Sequence, residues 1–196
     1  MDALILAGGE NKRISVPKGF LRINGKSIIE SNIELLKGIC DRVVVSTNAP
    51  ELYFSLDVLL IGDVIEQRGP MRGIFSTLIN PEFSSVFVTA CDMPFINVIL
   101  IKYMIDRWEN RLDALIPIFE GKPQPLFGVY SKKIVTKKME DNIRSGKKKL
   151  RNFLREINVL YIGEEEVRKI DREGRSFVNI NTMEDFQREG GAICLV

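Results

Sequence analysis

Four short apolar runs, at residues 3–6, 42–46, 58–61 and 86–90, are continuous rather than alternating and rich in branched side chains. A strand with one wet face alternates apolar and polar residues, so unbroken runs of this kind belong to parallel strands covered on both faces. Helical spacing fills most of the gaps. Residues 27–39 put Ile29, Ile33, Leu36 and Ile39 on one face, 71–78 form a shorter candidate, and Asn97 is placed to cap a helix running to about residue 109. Strand alternating with helix predicts an α/β chain, a single-domain doubly wound and mostly parallel sheet with right-handed crossovers, whose ligands gather at the carboxyl ends of the strands.

Further along, runs at 114–119 and 126–130 flank Glu120-Gly121-Lys122-Pro123-Gln124-Pro125, which predicts a small hairpin excursion whose pairing the prolines limit. Residues 177–182 alternate like a strand, and Thr182 is placed to cap a last helix from Met183 to about Arg188. The basic run at 145–151, which includes Lys147, Lys148 and Lys149, lies between two helical patterns and reads as a solvated loop or helix end.

Composition narrows the chemistry. The 196 residues fit one domain, with a nucleotide half at about 1–95 and an acceptor half at about 96–196. A net charge of +2 gives no electrostatic ground for nucleic-acid binding, and no stretch has the apolar length of a membrane span or the pattern of a cleavable leader, so the expected location is cytoplasmic. Three widely spaced cysteines, Cys40, Cys91 and Cys194, argue against a disulfide framework and against a cysteine-built metal site. Histidine is absent, which excludes imidazole bases, serine or cysteine triads and histidine-ligated metals. Carboxylates, lysines and oxygen-liganded cations remain.

The first apolar run opens into Leu6-Ala7-Gly8-Gly9-Glu10-Asn11-Lys12-Arg13, followed by Pro17-Lys18. Glycines let backbone amides approach anionic oxygens, arginine offers a planar fork and lysine a compact charge, so this is a candidate phosphate loop. Its spacing matches neither a Walker loop nor a dinucleotide fingerprint. On the loop alone, an ordinary glycine turn with solvated charges explains the pattern equally well. The other strand ends carry Asn48, Asp63 and Asp92. Asp92, directly after residues 86–91, is placed for Mg²⁺, which prefers one or two carboxylates plus phosphate oxygens; a turn or cap carboxylate is the alternative. Asn48 and Asp63 together offer amide and carboxylate partners for a purine edge, and Cys91 reads as a small buried hydrophobe.

With these parts assembled, the chain resembles the molybdenum cofactor guanylyltransferase family, within the nucleotidyltransferases that share a Leu-Ala-Gly-Gly…Arg…Lys loop on a Rossmann-like fold. Asn48, Gly62-Asp63, Gly69-Pro70-Met71-Arg72-Gly73-Ile74, Cys91-Asp92-Met93-Pro94, Gln124-Pro125-Leu126 and Val178-Asn179-Ile180-Asn181-Thr182 carry the resemblance almost end to end. The resemblance implies transfer of GMP from GTP to the terminal phosphate of molybdopterin, with release of pyrophosphate. By position, Leu6, Asn48 and Asp63 correspond to the guanine site, Ala7 to the nucleotide site, and Gly8, Gly9, Arg13 and Lys18 to the phosphates. Asp92 corresponds to the Mg²⁺ ligand, and Asn179 and Asn181 to the pterin side. Arg13, Lys18 and Asp92 carry the catalysis in this comparison. The implied partners are GTP, molybdopterin and, in transient contact, other molybdenum cofactor proteins, with a monomer or weak oligomer and no nucleic acid or membrane.

Departures from the family pattern are Asn11 in place of a small hydroxyl residue, Ile14-Ser15 in place of Met-Gly, and Pro17 before the lysine, where Pro17-Lys18 is similar to sugar-nucleotide pyrophosphorylases. The alternatives are a transferase that uses CTP or loads another phosphorylated acceptor, such as a sugar or corrinoid precursor, and a nucleotide-binding regulator without turnover.

Overall fold

The computed structural model describes residues 1–8, 17–66, 69–135, 137–146 and 149–190. In chain order, β1 (Asp2–Leu6) leads to a small hairpin of β2 (Arg22–Ile23) and β3 (Lys26–Ser27), then α1 (Ile28–Lys37), β4 (Val43–Ser46), β5 (Leu59–Ile61), α2 (Pro70–Leu78), β6 (Ser85–Ala90) and α3 (Val98–Asp106). The second half adds β7 (Ala114–Phe119), β8 (Lys122–Pro123), β9 (Gly128–Ser131), α4 (Lys137–Arg144), α5 (Leu150–Phe153), β10 (Val159–Ile162), α6 (Glu164–Ile170) and α7 (Met183–Arg188).

The main sheet has the order β10-β7-β9-β6-β1-β4-β5, with β8 paired to β7 beside this path. Strands β6, β1, β4 and β5 run parallel, as do β10 and β7, whereas β9 is antiparallel to both of its neighbours. The α/β doubly wound architecture is therefore the expected one, and the reversed β9 joins its two parallel parts. Burial explains the continuous apolar runs. Ala3 and Ile5 of β1 enter the core with α1 and α3, while Leu4 and Leu6 point the other way into a core with α2, α4 and α5.

Local chemistry sets the element ends. Ser27 caps α1 through a reciprocal pairing with Glu30, and Ile28, Ile29, Ile33 and Leu36 face inward. The helix stops at Lys37, so Ile39 lies beyond it. Asn97 accepts from the amides of Ile99 and Leu100 to start α3, which ends at Asp106 rather than near residue 109. The excursion after β7 turns through Glu120 and Gly121, both with positive φ, and Pro123 leaves β8 two residues long.

Residues 177–182 form no strand, which corrects the expectation from their alternation. Arg175–Phe177 make a 3₁₀ turn that the Asp171 carboxylate holds by accepting from the amides of Arg175 and Ser176. The amide of Ile180 then bonds the Asp92 carbonyl at 2.9 Å instead of joining a ladder. The alternation comes from packing: Ile180 and Phe186 fill a small cluster with Leu21 and Ile28. Thr182 does cap α7 as expected, with Asp185 returning the bond.

One register positions everything that follows. Leu6 of β1 stands opposite both Ser46 of β4 and Ala90 of β6, and Ser46 in turn stands opposite Ile61 of β5. Four chain segments therefore leave the sheet along one edge. Helix α2 crosses close behind that edge, because a Cβ on Gly73 would come within 2.7 Å of Leu6 Cδ2 and of Ser46 Oγ. Replacing Gly73 by alanine is expected to destabilise the fold by about 1–3 kcal/mol in urea unfolding, since overpacking outweighs the better helix propensity of alanine. An unchanged midpoint would show that the approach is loose.

Candidate functional site

A cleft of about 660 Å³ opens at the aligned strand ends, and Leu6, Ala7, Gly8, Lys18, Asn48, Asp63 and Asp92 all line it. Residues that lie far apart in sequence meet there because each follows, or packs beside, the carboxyl end of a strand in the same row. Gly9 and Arg13 lie outside the described residues, as do Asn11, Ile14, Ser15, Lys147 and Cys194.

Lys18 opens a 3₁₀ turn after Pro17, whose ring fixes φ at −54° and so aims the segment. Its Nζ donates to Asp92 Oδ2 at 3.0 Å and to Asn181 Oδ1 at 2.8 Å. Together with the bond from the Ile180 amide to the Asp92 carbonyl, these contacts tie the segment before α7 to the end of β6. Asn181 therefore reaches the rim of the site. Asn179 instead donates its amide to the Phe177 carbonyl at 2.9 Å, a bond within its own segment. The cation and the carboxylate are each about four-fifths buried, with exposures of 21% and 19%. The pair is thus shielded, yet within reach of a ligand.

At the opposite end of the cleft, Asn48 grips Asp63 twice. Asn48 Oδ1 accepts from the Asp63 amide at 2.8 Å, and its Nδ2 donates to Asp63 Oδ2 at 2.9 Å. Arg72, in the first turn of α2, places Nε 2.7 Å from the same oxygen. Burial pushes the Asp63 carboxyl above the ordinary aspartate range, opposed by the Arg72 charge and by hydrogen bonding from Asn48 and Ser46. Cys91 packs partly buried just before Asp92, and burial with the neighbouring Asp92 charge pushes its thiol up to about 12, as fits an inert hydrophobe.

Sequence reasoning assigned no role to Arg72, although it quoted the segment. The signal was present. A cation near a helix N-terminus opposes the macrodipole, and the first turn of α2 holds no acidic residue, so a partner from elsewhere was required.

A glycine-led strand end, an ion pair of lysine and aspartate, and an amide–carboxylate pair in one crevice of a doubly wound sheet define a nucleotidyltransferase. Residues 3–160 match the family described as MobA-like NTP transferase domain. A probable molybdenum cofactor guanylyltransferase from Peptoclostridium acidaminophilum is 34% identical over 193 residues, covering 95% of this chain and 87% of that protein. A molybdenum cofactor guanylyltransferase from Desulfosudis oleivorans is 31% identical, covering 98% and 97%. The crystal structure of molybdopterin-guanine dinucleotide biosynthesis protein A from Archaeoglobus fulgidus superposes with a TM-score of 0.84 at 30% identity, covering 97% of each chain. The chain belongs to the MobA-like NTP transferase family.

Because burial raises the folded-state pKa of Asp63 above its unfolded value near 3.8, this group adds stability below that value, and the contribution is lost as pH rises through the raised one. Urea unfolding of wild type and Asp63→Asn from acid to neutral pH is expected to show the wild type losing stability relative to the variant over that window. A difference that stays flat, or grows with pH, would mean that the Arg72 charge outweighs burial.

Proposed function

We propose that this enzyme transfers GMP from GTP to the terminal phosphate of molybdopterin, forming the dinucleotide cofactor and releasing pyrophosphate. The observation that carries the reading is the spacing of two unlike polar pairs in one cleft, Asn48 with Asp63 at one end and Lys18 with Asp92 at the other. Guanine presents two adjacent N–H donors, which call for a carboxylate, and Asp63 supplies one backed by an amide. Cytosine and adenine lack that donor pair. The names of the relatives from Peptoclostridium acidaminophilum and Desulfosudis oleivorans support the same substrate class.

Asp92 suits a divalent cation of the Mg²⁺ type. Such an ion is commonly held by one or two carboxylates with the remainder from substrate phosphates, rather than by a protein cage. Among the described residues no group of three or more acidic or cysteine side chains gathers to make such a cage. When bound, the ion would neutralise charge on the nucleotide phosphates and hold them in line.

The chain's own residues perform the rest. An acceptor phosphate is already largely ionised at neutral pH, so no protein base is required, in keeping with the absence of histidine. Gly8 leaves room for phosphate oxygens, and Lys18 delivers positive charge where pyrophosphate leaves, a preorganised donor that needs no reorganisation at the moment of reaction. Arg13 adds a second cation in this proposal. Asn181, already bonded to Lys18 at 2.8 Å, and Asn179 face the pterin acceptor. No helix among the described residues is long and apolar enough to cross a membrane, and we place the enzyme in the cytoplasm, handing its product to other molybdenum cofactor proteins.

Asp92→Ala and Lys18→Ala, each confirmed as folded, are expected to lower GTP-dependent pyrophosphate release with molybdopterin by about 10²–10³. Near wild-type rates in both variants would rule out this site, and preference for CTP over GTP would rule out the guanine assignment.

A further inference from the structure

We propose that Arg72 occupies Asp63 as an internal stand-in for the base, and that incoming guanine displaces it toward the phosphates of the same nucleotide. This rests on the guanine reading above and adds a residue that sets specificity by exchange.

Arg72 stands in the first turn of α2, where the helix dipole disfavours a cation. What holds it there is Asp63, 2.7 Å from its Nε, and the Glu66 carbonyl, which accepts from Nη1 at 3.2 Å. The two charged side chains are 17% and 4% exposed, so the contact belongs to the wall of the cleft rather than to open surface. The contact is also incomplete. Asp63 Oδ2 bonds Asn48 Nδ2 and faces Arg72 Nε, whereas Oδ1 is buried and makes no full hydrogen bond among the described residues, Ser46 adding only the weakest of the interactions with this carboxylate. Arginine usually grips a carboxylate with two parallel bonds, one to each oxygen, and a buried acceptor left unfilled is costly.

Guanine carries the better fit. Its ring N–H and the amino group on the adjacent carbon form the same planar N–C–N fork as a guanidinium. In one plane they can fill both oxygens, including the one Arg72 leaves empty. Adenine and cytosine lack this fork and have no means of competing for Asp63. The displaced side chain has a short way to go, because Arg72 Nη2 already stands 3.7 Å from where a Cβ of Gly8 would be. Gly8 begins the glycine loop, so a small swing carries the guanidinium from the base's carboxylate to the phosphates. A correct base thereby releases a cation for its own phosphates, and an incorrect one leaves that cation locked away, a form of induced fit.

The exchange predicts effects of opposite sign on two ligands, which a simple orienting role for Arg72 does not. Guanosine has the base without the phosphates, so for it Arg72 is purely a competitor; for GTP it is also a partner. Calorimetric titration at pH 8, where a carboxylate is ionised, would compare wild type with Arg72→Met and Arg72→Lys, each checked for folding by circular dichroism. Arg72→Met is expected to tighten guanosine about tenfold, as removal of a competing state does, and to weaken GTP about tenfold. Arg72→Lys lacks the fork but keeps the charge, so it is expected to tighten guanosine while largely retaining GTP, and it decides the matter if the methionine variant does not fold. Guanosine binding that is unchanged or weaker in the folded variants overturns the exchange. A wild type that binds GTP no better than CTP or ATP overturns the guanine reading itself, whereas a GTP-selective wild type with no gain in guanosine affinity overturns the exchange alone.

Discussion

Four strand ends in one row are the constraint on which the site depends. Leu6, Ser46, Ile61 and Ala90 stand side by side through hydrogen-bonded registers, so Ala7, Thr47, Gly62 and Cys91 step off the sheet together. The period of two along a strand makes this unforgiving: a slip by one residue in β4 or β6 would move Val44 or Val88 into the opposite core and carry Asn48 or Asp92 away from the crevice. Packing and function therefore enforce the same register. The apolar residues that commit β1 and its neighbours to burial also fix where the polar groups beyond them emerge.

On that edge, two aspartates meet different surroundings and acquire different chemistry. Asp92 shares a largely buried position with the Lys18 ammonium at the cleft surface, within reach of a ligand. Asp63 is almost wholly buried, and burial raises its pKa even with Arg72 and Asn48 opposing. A carboxylate held in a dry wall discriminates between hydrogen-bonding partners more sharply than one in water, because an unmet acceptor there has no solvent to turn to. In the function proposed above, one end of the cleft reads the base and the other neutralises phosphate.

Much of this was legible along the chain. The apolar runs marked β1, β4, β5, β6 and β7, the spacing over 27–39 marked α1 though it ran past the helix end at Lys37, and the polar residues just beyond each run marked the cleft, since Leu6, Ala7, Gly8, Lys18, Asn48, Asp63 and Asp92 do converge. Where the reading failed, a pattern had more than one cause. The alternation at 177–182 records Ile180 buried against Leu21 rather than a strand, and the short β10 passed unnoticed because Val159 and Leu160 are only partly buried and Tyr161 is exposed. For Arg72 the sequence offered only the hint of a cation in the first turn of α2, because its partner, Asp63, lies outside that helix.

By itself the sequence determined the class of the fold, the caps that start α1, α3 and α7, and the chemical types available to the site, because periodicity, capping and composition act over a few neighbouring residues. Tertiary structure alone decided the rest. It inserted β9 antiparallel between β6 and β7, tied Asn181 to Lys18 while leaving Asn179 on Phe177, and set Arg72 against one oxygen of Asp63. Apart from the local bond of Asn179 to Phe177, each of these joins residues whose separation in sequence says nothing of their distance in space. What joins them is the strand register and the burial it imposes.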